Sequence, residues 1–520
     1  MPADPSAGLS DGVVIVGAGP TGLILAAELA LAGVRCLVLE RRSGPQDASR
    51  AICLHARTME VLDLRGQAAI FADAGLAVPS FPLGPRGAKI AFGALDSDFP
   101  YMLDMPQSQI ERLLLARATE LGADVRWSAT VTGVHQDDAG VAVTLADGSQ
   151  ERASYVAGCD GVRSFVRDAT AIPFPGSHNP GSVILADLRL DGLPMDAAYG
   201  DLSANGMLLV FPFRDCTCRV VLYDFARADV PVTEPVPLTE VVDGLRRVVG
   251  QDFGAHDLIW SGRYRSESRQ APAYRAGRVL LAGDAAHAHS PAGAQGMNTG
   301  LQDAVNLGWK LAAVLGGWGP EWLLDSYHAE RHPVGAAVLA LTGRQFRLNT
   351  VRSPAGRALR WAVHRLIVPL PPVQGRLARD YSGLSVSYPP VPPGGRPGAA
   401  AGAESGAARG TAARGLLPAH RLAGSRLPRA RLTLAGGATV SPYDLLHDGR
   451  FLLLDQSAAG GAAILPDRIR HVSYQESAPR LPPALLVRPD GYLAWASDEP
   501  DPAARRSAAI SAAQLWCGPR

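Results

Sequence analysis

Fully apolar runs alternate with helix-like patterning at the start of the chain. Val13–Val16 is one such run, a glycine-rich turn follows it, and residues 23–31 then carry the pattern of a helix. A second apolar run, residues 36–39, ends in Glu40. Short runs of this kind are typical of parallel strands that are buried on both faces. The pattern therefore predicts a strand–turn–helix–strand unit of a doubly wound α/β sheet.

Two changes of pattern follow farther along the chain. Strand-like apolar runs dominate from about residue 176 to 272 and predict a separate β-sheet, with strands at residues 182–186, 207–212 and 219–223. Helical spacing then returns after a loop punctuated by glycines. Its apolar positions lie three or four residues apart and predict a long helix through Leu301, Val305, Gly308, Leu311 and Leu315.

Composition and charge limit the classes of protein that fit this pattern. The 520 residues, 47% hydrophobic and 19% charged, suit a soluble protein of several domains. A net charge of +1 gives no sign of nucleic-acid binding. Residues 12–34 are apolar, but Glu28 and the glycines interrupt them, so we expect a buried unit and no membrane span. Six cysteines without metal-ligand spacing predict reduced thiols in a cytoplasmic protein without a metal site.

The glycine-rich turn carries the first chemical signal. Gly17, Gly19 and Gly22 form a GxGxxG between a strand and a helix, where they permit a tight turn, close approach of a pyrophosphate and close helix packing. Glu40 lies about as far downstream as the acid that accepts ribose hydroxyls. These residues predict dinucleotide binding. The alternative is a glycine-rich turn in an ordinary doubly wound sheet.

Two further motifs indicate which dinucleotide binds. Asp160-Gly161 follows the apolar residues 155–157, and Gly283-Asp284 follows the apolar residues 279–282. Together with the glycine-rich segment 291–304 and with residues 306–311, they resemble the DG and GD motifs of the single-component FAD-dependent aromatic hydroxylases, the para-hydroxybenzoate hydroxylase family. The resemblance covers roughly residues 12–345. Within this family, the sequence is most similar in pattern to hydroxylases that tailor aromatic polyketides and antibiotics in actinomycetes.

The resemblance implies roles for particular residues. Asp284 would accept hydrogen bonds from the ribitol of FAD, although it could also be a simple helix cap, and Asp160 would serve both FAD and the nicotinamide cofactor. Backbone N–H groups near Gly296–Asn298 would meet the flavin pyrimidine. Taken together, the residues expected to bind the cofactor are Gly17, Gly19, Pro20, Thr21, Gly22, Glu40, Arg41, Arg50, Gln109, Asp160, Gly161, Gly283, Asp284, Pro291, Gly296, Met297 and Asn298.

The family pattern also implies a division into domains. We expect a Rossmann-like FAD-binding domain in two parts, an inserted β-sheet domain that binds substrate, a linker rich in proline, glycine and alanine, and a thioredoxin-like C-terminal domain. The respective boundaries are 12–175 with 273–388, 176–272, 389–415 and 416–520. The C-terminal segment has no CxxC, so we expect it to serve as an interface or stability module.

The expected reaction follows from the cofactor. NADPH or NADH would reduce FAD transiently, O2 would give a flavin hydroperoxide, and a polycyclic aromatic phenol or quinone would be hydroxylated. Baeyer–Villiger insertion, epoxidation and a non-catalytic FAD-binding protein are the alternatives, whereas the motifs of flavin halogenases are not evident. The sequence identifies no catalytic acid or base: His55, His287 and His289 are candidates because they lie near motifs, but a lone histidine beside a motif is more often structural. It leaves the oligomeric state open, a homo-oligomer included.

Overall fold

A computed structural model of the protein describes residues 11–46, 51–178, 181–290, 293–389, 420–456 and 465–518. Its α-helices are α1 Pro20–Leu31, α2 Ala56–Asp63, α3 Ala68–Ala74, α4 Gln107–Glu120, α5 Phe165–Ala169, α6 Leu238–Val249, α7 Gln295–Leu315, α8 Trp322–Thr350, α9 Pro354–Ala362, α10 Pro371–Ser382 and α11 Pro502–Cys517. A π-helix, Val363–Ile367, continues α9, and 3-10 turns lie at Gly283–Ala285 and Asp444–Leu446.

A mainly parallel sheet carries the predicted N-terminal unit. Val13–Val16 lies in it between Cys36–Leu39 and Tyr155–Gly158, with which it pairs in parallel, and every residue of these strands is buried. The strand order across the sheet is Arg275–Ala276, Val279–Leu281, Tyr155–Gly158, Val13–Val16, Cys36–Leu39 and Asp124–Arg126. The first of these is an antiparallel edge strand. The apolar runs thus form the buried parallel strands that their pattern predicts.

An antiparallel sheet interrupts the parallel sheet in sequence, between its strands at residues 155–158 and 279–281. Its strand order is Tyr199–Leu202, Gly206–Pro212, Cys218–Asp224, Val183–Arg189 and His256–Tyr264. Alternate residues point to opposite faces. One face, with Val183, Leu185 and Leu209, looks toward residues 284–297, and the other packs on α6. Both faces are therefore apolar, which explains why these strands read as continuous hydrophobic runs.

Smaller sheets join the two large ones. They consist of Val131–Asp137 with Gly140–Leu145 and Gln150–Ala153, of Gly176–His178 with Glu267–Gln270 and His287–Ala288, of Cys53–Leu54 with Met102–Asp104 and Leu76–Val78, and of the hairpin Ser80–Pro82 with Lys89–Ala91. The strand His287–Ala288 directly follows the Gly283-Asp284 turn. The antiparallel sheet and the parallel sheet are thus connected next to the predicted cofactor site.

The C-terminal part forms a mixed sheet against α11, as expected for a thioredoxin-like architecture. Its strand order is Thr439–Val440, Arg431–Leu434, Ile469–Ala478, Phe451–Asp455, Ala484–Val487 and Leu493–Ser497. A buried ionic cluster joins it to α7 and α8. Arg488 contacts both carboxylate oxygens of Glu330 at 2.7 and 2.9 Å, and Lys310 contacts the same carboxylate at 2.8 Å. Burial works to raise the pKa of Glu330, but Arg488 and Lys310 lower it to about 2.

The predicted linker, apart from Pro389, lies outside the described residues. Within the described part, no helix combines the length and apolar character needed to cross a bilayer. The cysteines there are unpaired thiols, and all except the exposed Cys216 are buried, as predicted for packed thiols.

Candidate active site

The glycine-rich turn is shaped by close contacts at two of its three glycines. Gly17 has φ +106°, and a Cβ there would lie 2.5 Å from the carbonyl oxygen of Cys159. A Cβ at Gly22 would lie 2.0 Å from the carbonyl oxygen of Gly17. A Cβ at Gly19, in contrast, would have no other atom within 4 Å. Space for a ligand therefore lies at Gly19, at the N terminus of α1, where Pro20 is the first helical residue and the helix dipole favours an anion.

Glu40 ends its strand beside this turn. Its carboxylate accepts hydrogen bonds from the N–H groups of Ala18, at 2.7 Å, and Arg42, at 3.0 Å, and the Arg42 guanidinium lies 3.1 Å away. Burial works to raise the pKa of Glu40, but these contacts hold it below its usual value. Arg42 also pairs with Glu111 at 3.2 Å. An ionised acid thus stands next to the turn, as ribose binding requires.

Arg41 and Gln109 are expected from the sequence to bind the cofactor, but in each case a nearby residue of the same type makes more contacts within the protein. Arg41 is exposed, whereas Arg42 holds Glu40. Gln109 is half-buried in the first turn of α4, whereas Gln107 accepts a hydrogen bond from the Ala51 N–H at 3.0 Å and donates to Glu111 at 2.8 Å. Sequence reasoning missed Arg42 and Gln107 because adjacent arginines and alternate glutamines look equivalent until their partners are known. Arg50 lies outside the described residues, next to Ala51.

The Asp160-Gly161 motif forms a turn before α5. Gly161 has φ +82°, a conformation that favours glycine. The Asp160 carboxylate accepts hydrogen bonds from the Ser164 hydroxyl and from the Val166 N–H, the latter at 3.1 Å. Burial raises the pKa of Asp160 despite these hydrogen bonds. Asp160 therefore stabilises the first turn of α5. It directly follows Cys159, whose carbonyl group lies close to Gly17.

The Gly283-Asp284 motif meets the glycine-rich turn at Thr21. Gly283 has φ +62°, and a Cβ there would lie 2.6 Å from the Thr21 hydroxyl. A Cβ at Gly300 of α7 would lie 2.5 Å from the same oxygen. Asp284 is exposed at the rim of a cavity. The structure thus brings together Thr21, Gly283 and Gly300, of which Thr21 and Gly300 are 279 residues apart in the chain.

A buried ion triad supports this junction. Asp303 on α7 accepts hydrogen bonds from the Gly283 N–H at 3.1 Å, from His287 Nε2 at 2.6 Å and from Arg331 Nε at 2.7 Å. All three side chains are fully buried. Sequence reasoning did not single out Asp303 or Arg331, because 28 residues and a helix boundary separate them. Only the tertiary structure shows that they fix the GD turn.

Two of the three candidate histidines, His55 and His287, are structural in their contacts. His287 belongs to the triad and stacks on His289 with 6.0 Å between ring centroids. Burial lowers the pKa of both His55 and His289 to about 4, so both are neutral near pH 7. His55 Nε2 lies 2.9 Å from the Gly293 carbonyl oxygen. Of the three, His289 lines the cavity described next.

The loop before α7 brings two expected flavin contacts to the surface of a cavity. Gly293 has φ +90°, α7 starts at Gln295, and Gly296 and Met297 line the cavity. Asn298 is instead buried: its side chain accepts from the His55 N–H at 2.8 Å and donates to the Cys53 carbonyl at 3.1 Å. It anchors α7 to the neighbouring strand. Pro291 lies outside the described residues.

This central cavity has a volume of about 200 Å³ and two unlike sides. One side consists of Asp284, His289, Gly296 and Met297. The other side is formed by the antiparallel sheet and α8, and its apolar lining residues are Val183, Leu185, Met207, Leu209, Phe211, Val221 and Phe346. A helix N terminus that favours developing negative charge therefore faces an apolar wall suited to a flat hydrophobic molecule.

The fold and the site together define a dinucleotide-binding α/β protein, with the Gly19 turn and a cavity under an apolar sheet as the two parts of its site. Three features fit FAD: glycines that have no room for a Cβ atom, the ionised Glu40 and the N terminus of α7. Two family models match the chain: the FAD binding domain over residues 11–342, and the C-terminal domain of aromatic-ring hydroxylases over residues 420–519. The chain belongs to the family of FAD-dependent aromatic hydroxylases and monooxygenases.

Similar proteins extend over almost the whole chain. A rifampicin monooxygenase of Streptomyces venezuelae is 39% identical over 94% of this chain and 96% of its own length. A dialkyldecalin synthase of Streptomyces rugosporus is 35% identical, over 98% of this chain and 100% of its own. The structure of the anhydrotetracycline hydroxylase OxyS from Streptomyces rimosus superposes with a TM-score of 0.82 at 37% identity, covering 98% of this chain and 99% of that one.

Replacing Ser164 tests whether the Asp160 turn contributes to cofactor binding. Ser164 caps α5 by accepting from the Arg167 N–H at 3.0 Å, so Ser164→Ala is expected to lower the free energy of unfolding by about 1 kcal/mol and to weaken FAD binding about threefold. Ser353 caps the exposed α9 in the same way. Ser353→Ala should cost similar stability and leave FAD affinity unchanged, as measured by thermal unfolding and by FAD titration. Equal FAD affinity in both variants would contradict a cofactor role for this turn.

Proposed function

We propose that the protein is a monooxygenase that uses NADPH or NADH and O2 to hydroxylate a polycyclic aromatic phenol or quinone, and that it acts in the cytoplasm. The observation that carries this proposal is the central cavity, where the N terminus of α7 faces the apolar wall of the antiparallel sheet. A cavity of this kind would hold an aromatic ring against the flavin end of the cofactor site, and this supports the proposal. FAD, once reduced by the nicotinamide cofactor, supplies the activation of O2 at this place.

The chain's own residues bind and orient the reactants. We propose that the N terminus of α1 at Gly19 and Pro20 binds the pyrophosphate and that Glu40 binds the ribose hydroxyls. Asp284 would bind the ribitol. The N–H groups of Gly296 and Met297, at the positive end of α7, would stabilise negative charge on the flavin pyrimidine. We assign Thr21, Gly22, Gly161 and Gly283 the role of allowing these segments to approach one another.

The apolar wall indicates the class of substrate. Leu209, Phe211 and Val221 offer a flat hydrophobic surface, which excludes water from the reacting ring and favours a polycyclic compound over a small polar one. The relatives named for rifampicin and anhydrotetracycline support a substrate of that size. A phenol would still need a proton acceptor. His289 borders the cavity, and its neutral imidazole makes it our candidate for that role.

Two other reactions remain candidates at the same site. Baeyer–Villiger insertion or epoxidation would need the same cofactor and cavity and a different functional group on the substrate. A non-oxidative function, in which FAD is retained for structure, is favoured by one observation: the dialkyldecalin synthase shares 35% identity over nearly the full chain. Consumption of NADPH in air that depends on added substrate separates an oxidative from a non-oxidative protein.

We propose that each segment contributes one part of this function. Residues 12–175 and 273–388 would hold FAD, residues 176–272 would bind substrate, and residues 416–520 would stabilise the enzyme. The ion pair between Arg488 and Glu330 supports the last assignment, because it joins the C-terminal sheet to α8, the helix that also carries the triad residue Arg331.

The substrate wall is tested by narrowing the central cavity. Purified, FAD-loaded protein is assayed in air for NADPH consumption with a panel of polycyclic phenols and quinones, and products are resolved by mass. Leu209→Trp should lower substrate-stimulated NADPH consumption about tenfold, because an indole fills the space of the ring, and should leave FAD content unchanged. The control is Ile259→Trp, on a strand of the same sheet, where the side chain is 63% exposed.

The outcomes of this experiment are distinct. A product heavier by one oxygen atom, formed by the wild type and by the Ile259 variant, supports the proposal. Fragmentation of that product separates ring hydroxylation from ring insertion. Bound FAD with no substrate-dependent NADPH consumption on any compound would favour the non-oxidative alternative.

A further inference from the structure

A second, larger cavity lies outside the site described above. Its volume is about 1010 Å³, and it is open to solvent and lined by the hairpin region 85–96 on one side and by α9, the π-helix and α10 on the other. We call it the outer cavity. It has no lining residue in common with the central cavity. The ring of Phe81 packs against Phe211, which lines the central cavity, at 5.8 Å and against Tyr381 of α10 at 5.6 Å.

Positive charge collects on the lining of the outer cavity. Lys89, Arg365 and Arg379 line it and have no ion pair within the described residues. The other two charged residues of the lining form ion pairs with residues that do not line the cavity: Arg86 pairs with Asp201 at 2.7 Å, and Asp96 pairs with Arg426 at 3.3 Å. The net field of the lining therefore favours an anion.

The apolar part of the lining suits a flat ring. Trp361 is 62% exposed at the mouth of the cavity, a high value for an indole, and Leu95, Val368 and Ala378 form apolar surface deeper inside. The Trp361 ring can stack on a planar ligand, and the nearby cations attract an anionic group on that ligand. A volume near 1000 Å³ also matches the upper end of small-molecule sites.

His364 gives an independent indication of a ligand. It lines the cavity and is 7% exposed, and neither of its ring nitrogens has a hydrogen-bond partner in the described structure. Such buried polar atoms are rare and call for a bound group or water. Burial lowers the pKa of His364 to about 4, so the ring is neutral and offers one donor and one acceptor.

The backbone at His364 is also unusual. Residues Val363–Ile367 form a π-helix, in which the Val368 N–H donates to the Val363 carbonyl at 2.9 Å. π-Helical turns are rare and frequently mark functional sites. This turn presents His364 and Arg365 together to the cavity.

We propose that the outer cavity is a second binding site, for a planar aromatic anion such as a polycyclic phenolate or carboxylate. The ring stacks on Trp361, the anionic group lies among Lys89, Arg365 and Arg379, and His364 hydrogen-bonds to an oxygen of the ligand. The site stands on its own residues and does not depend on the reaction proposed for the central cavity.

Binding of anthraquinone-2-carboxylate to the FAD-loaded protein tests this site. Binding is followed by calorimetry, and the quenching of tryptophan fluorescence is compared between wild type and Trp361→Phe, because the chain has eight tryptophans. The variant Arg365→Gln/Arg379→Gln should bind the probe about tenfold more weakly, roughly threefold for each charge. The control Arg357→Gln/Arg376→Gln removes two exposed arginines from α9 and α10 that do not line the cavity, and should bind within twofold of wild type. The neutral anthraquinone-2-carboxamide should show the same tenfold loss on wild type.

Two further variants separate the sites and the roles. His364→Phe keeps an aromatic ring and should weaken probe binding about fivefold while leaving the melting temperature of the ligand-free protein equal or higher. Leu209→Trp, in the central cavity, should leave the affinity for the probe measured by calorimetry unchanged. The proposal is overturned if both double variants bind equally well, or if Leu209→Trp abolishes probe binding and Arg365→Gln/Arg379→Gln does not weaken it.

Discussion

Gly19→Ala is expected to yield a folded protein that no longer retains FAD. The backbone at Gly19 is extended, with φ −79° and ψ 178°, and a Cβ there meets no other atom within 4 Å, so alanine costs the fold little. A pyrophosphate bound at the N terminus of α1 must approach this same position. Displacing it weakens charge-assisted hydrogen bonds worth about 1.5–3 kcal/mol each. We expect FAD affinity to fall by a factor of about 100 or more.

Titration of the apoprotein with FAD measures this change, and circular dichroism during heating reports the fold. Gly44→Ala is the matched control, since a Cβ at Gly44 also meets open space and lies four residues beyond Glu40. It should keep both FAD affinity and melting temperature. Gly22→Ala should fail differently, with loss of the fold itself, because its Cβ would overlap the Gly17 carbonyl oxygen. Normal FAD affinity in Gly19→Ala would show that the pyrophosphate does not bind at the N terminus of α1.

Local pattern was sufficient for the elements that form this site. The buried run Val13–Val16, the strand at residues 218–224 and helix α7 appear where apolar spacing indicated them, because each buries an apolar face that the sequence shows directly. The segment 354–367 shows where local pattern is not sufficient. α9 ends at Ala362 and gives way to the π-helix, a change of hydrogen-bond register that no spacing of apolar residues signals.

The sequence could not predict those residues of the site whose roles depend on contacts between distant segments. Motif glycines could be interpreted because their constraint is local backbone geometry. Arg42, Gln107 and Asp303 could not, because their roles depend on partners brought together by the fold, such as Glu111 for Arg42 and Arg331 for Asp303. A polar residue within a helix gives the same pattern whether it faces water or closes a buried triad.

The triad of Asp303, His287 and Arg331 should be the most sensitive buried element of the site. Asp303→Asn keeps the size of the side chain but leaves the fully buried Arg331 guanidinium without its counter-charge. Breaking a buried pair in this way costs about 3–5 kcal/mol, a large part of the roughly 5–15 kcal/mol that stabilises a typical protein. Since Asp303 also holds the Gly283 N–H, FAD affinity should fall together with the stability. Urea unfolding and FAD titration measure the two effects.

The pH dependence of stability identifies the charge on Asp303 as the cause. Burial works to raise the pKa of Asp303, but Arg331 and His287 lower it below the ordinary value of 3.8. A carboxylate with a depressed pKa in the folded state stabilises the protein above its unfolded pKa, and this contribution is lost as the pH falls toward the folded pKa. Wild type should therefore lose more stability than Asp303→Asn between neutral pH and pH values below 3.8. Asp168→Asn, which removes an exposed partner of Arg167, should change stability by less than about 1 kcal/mol and keep the wild-type pH profile. A parallel pH profile for Asp303→Asn and wild type would show that the triad owes its effect to packing and not to charge.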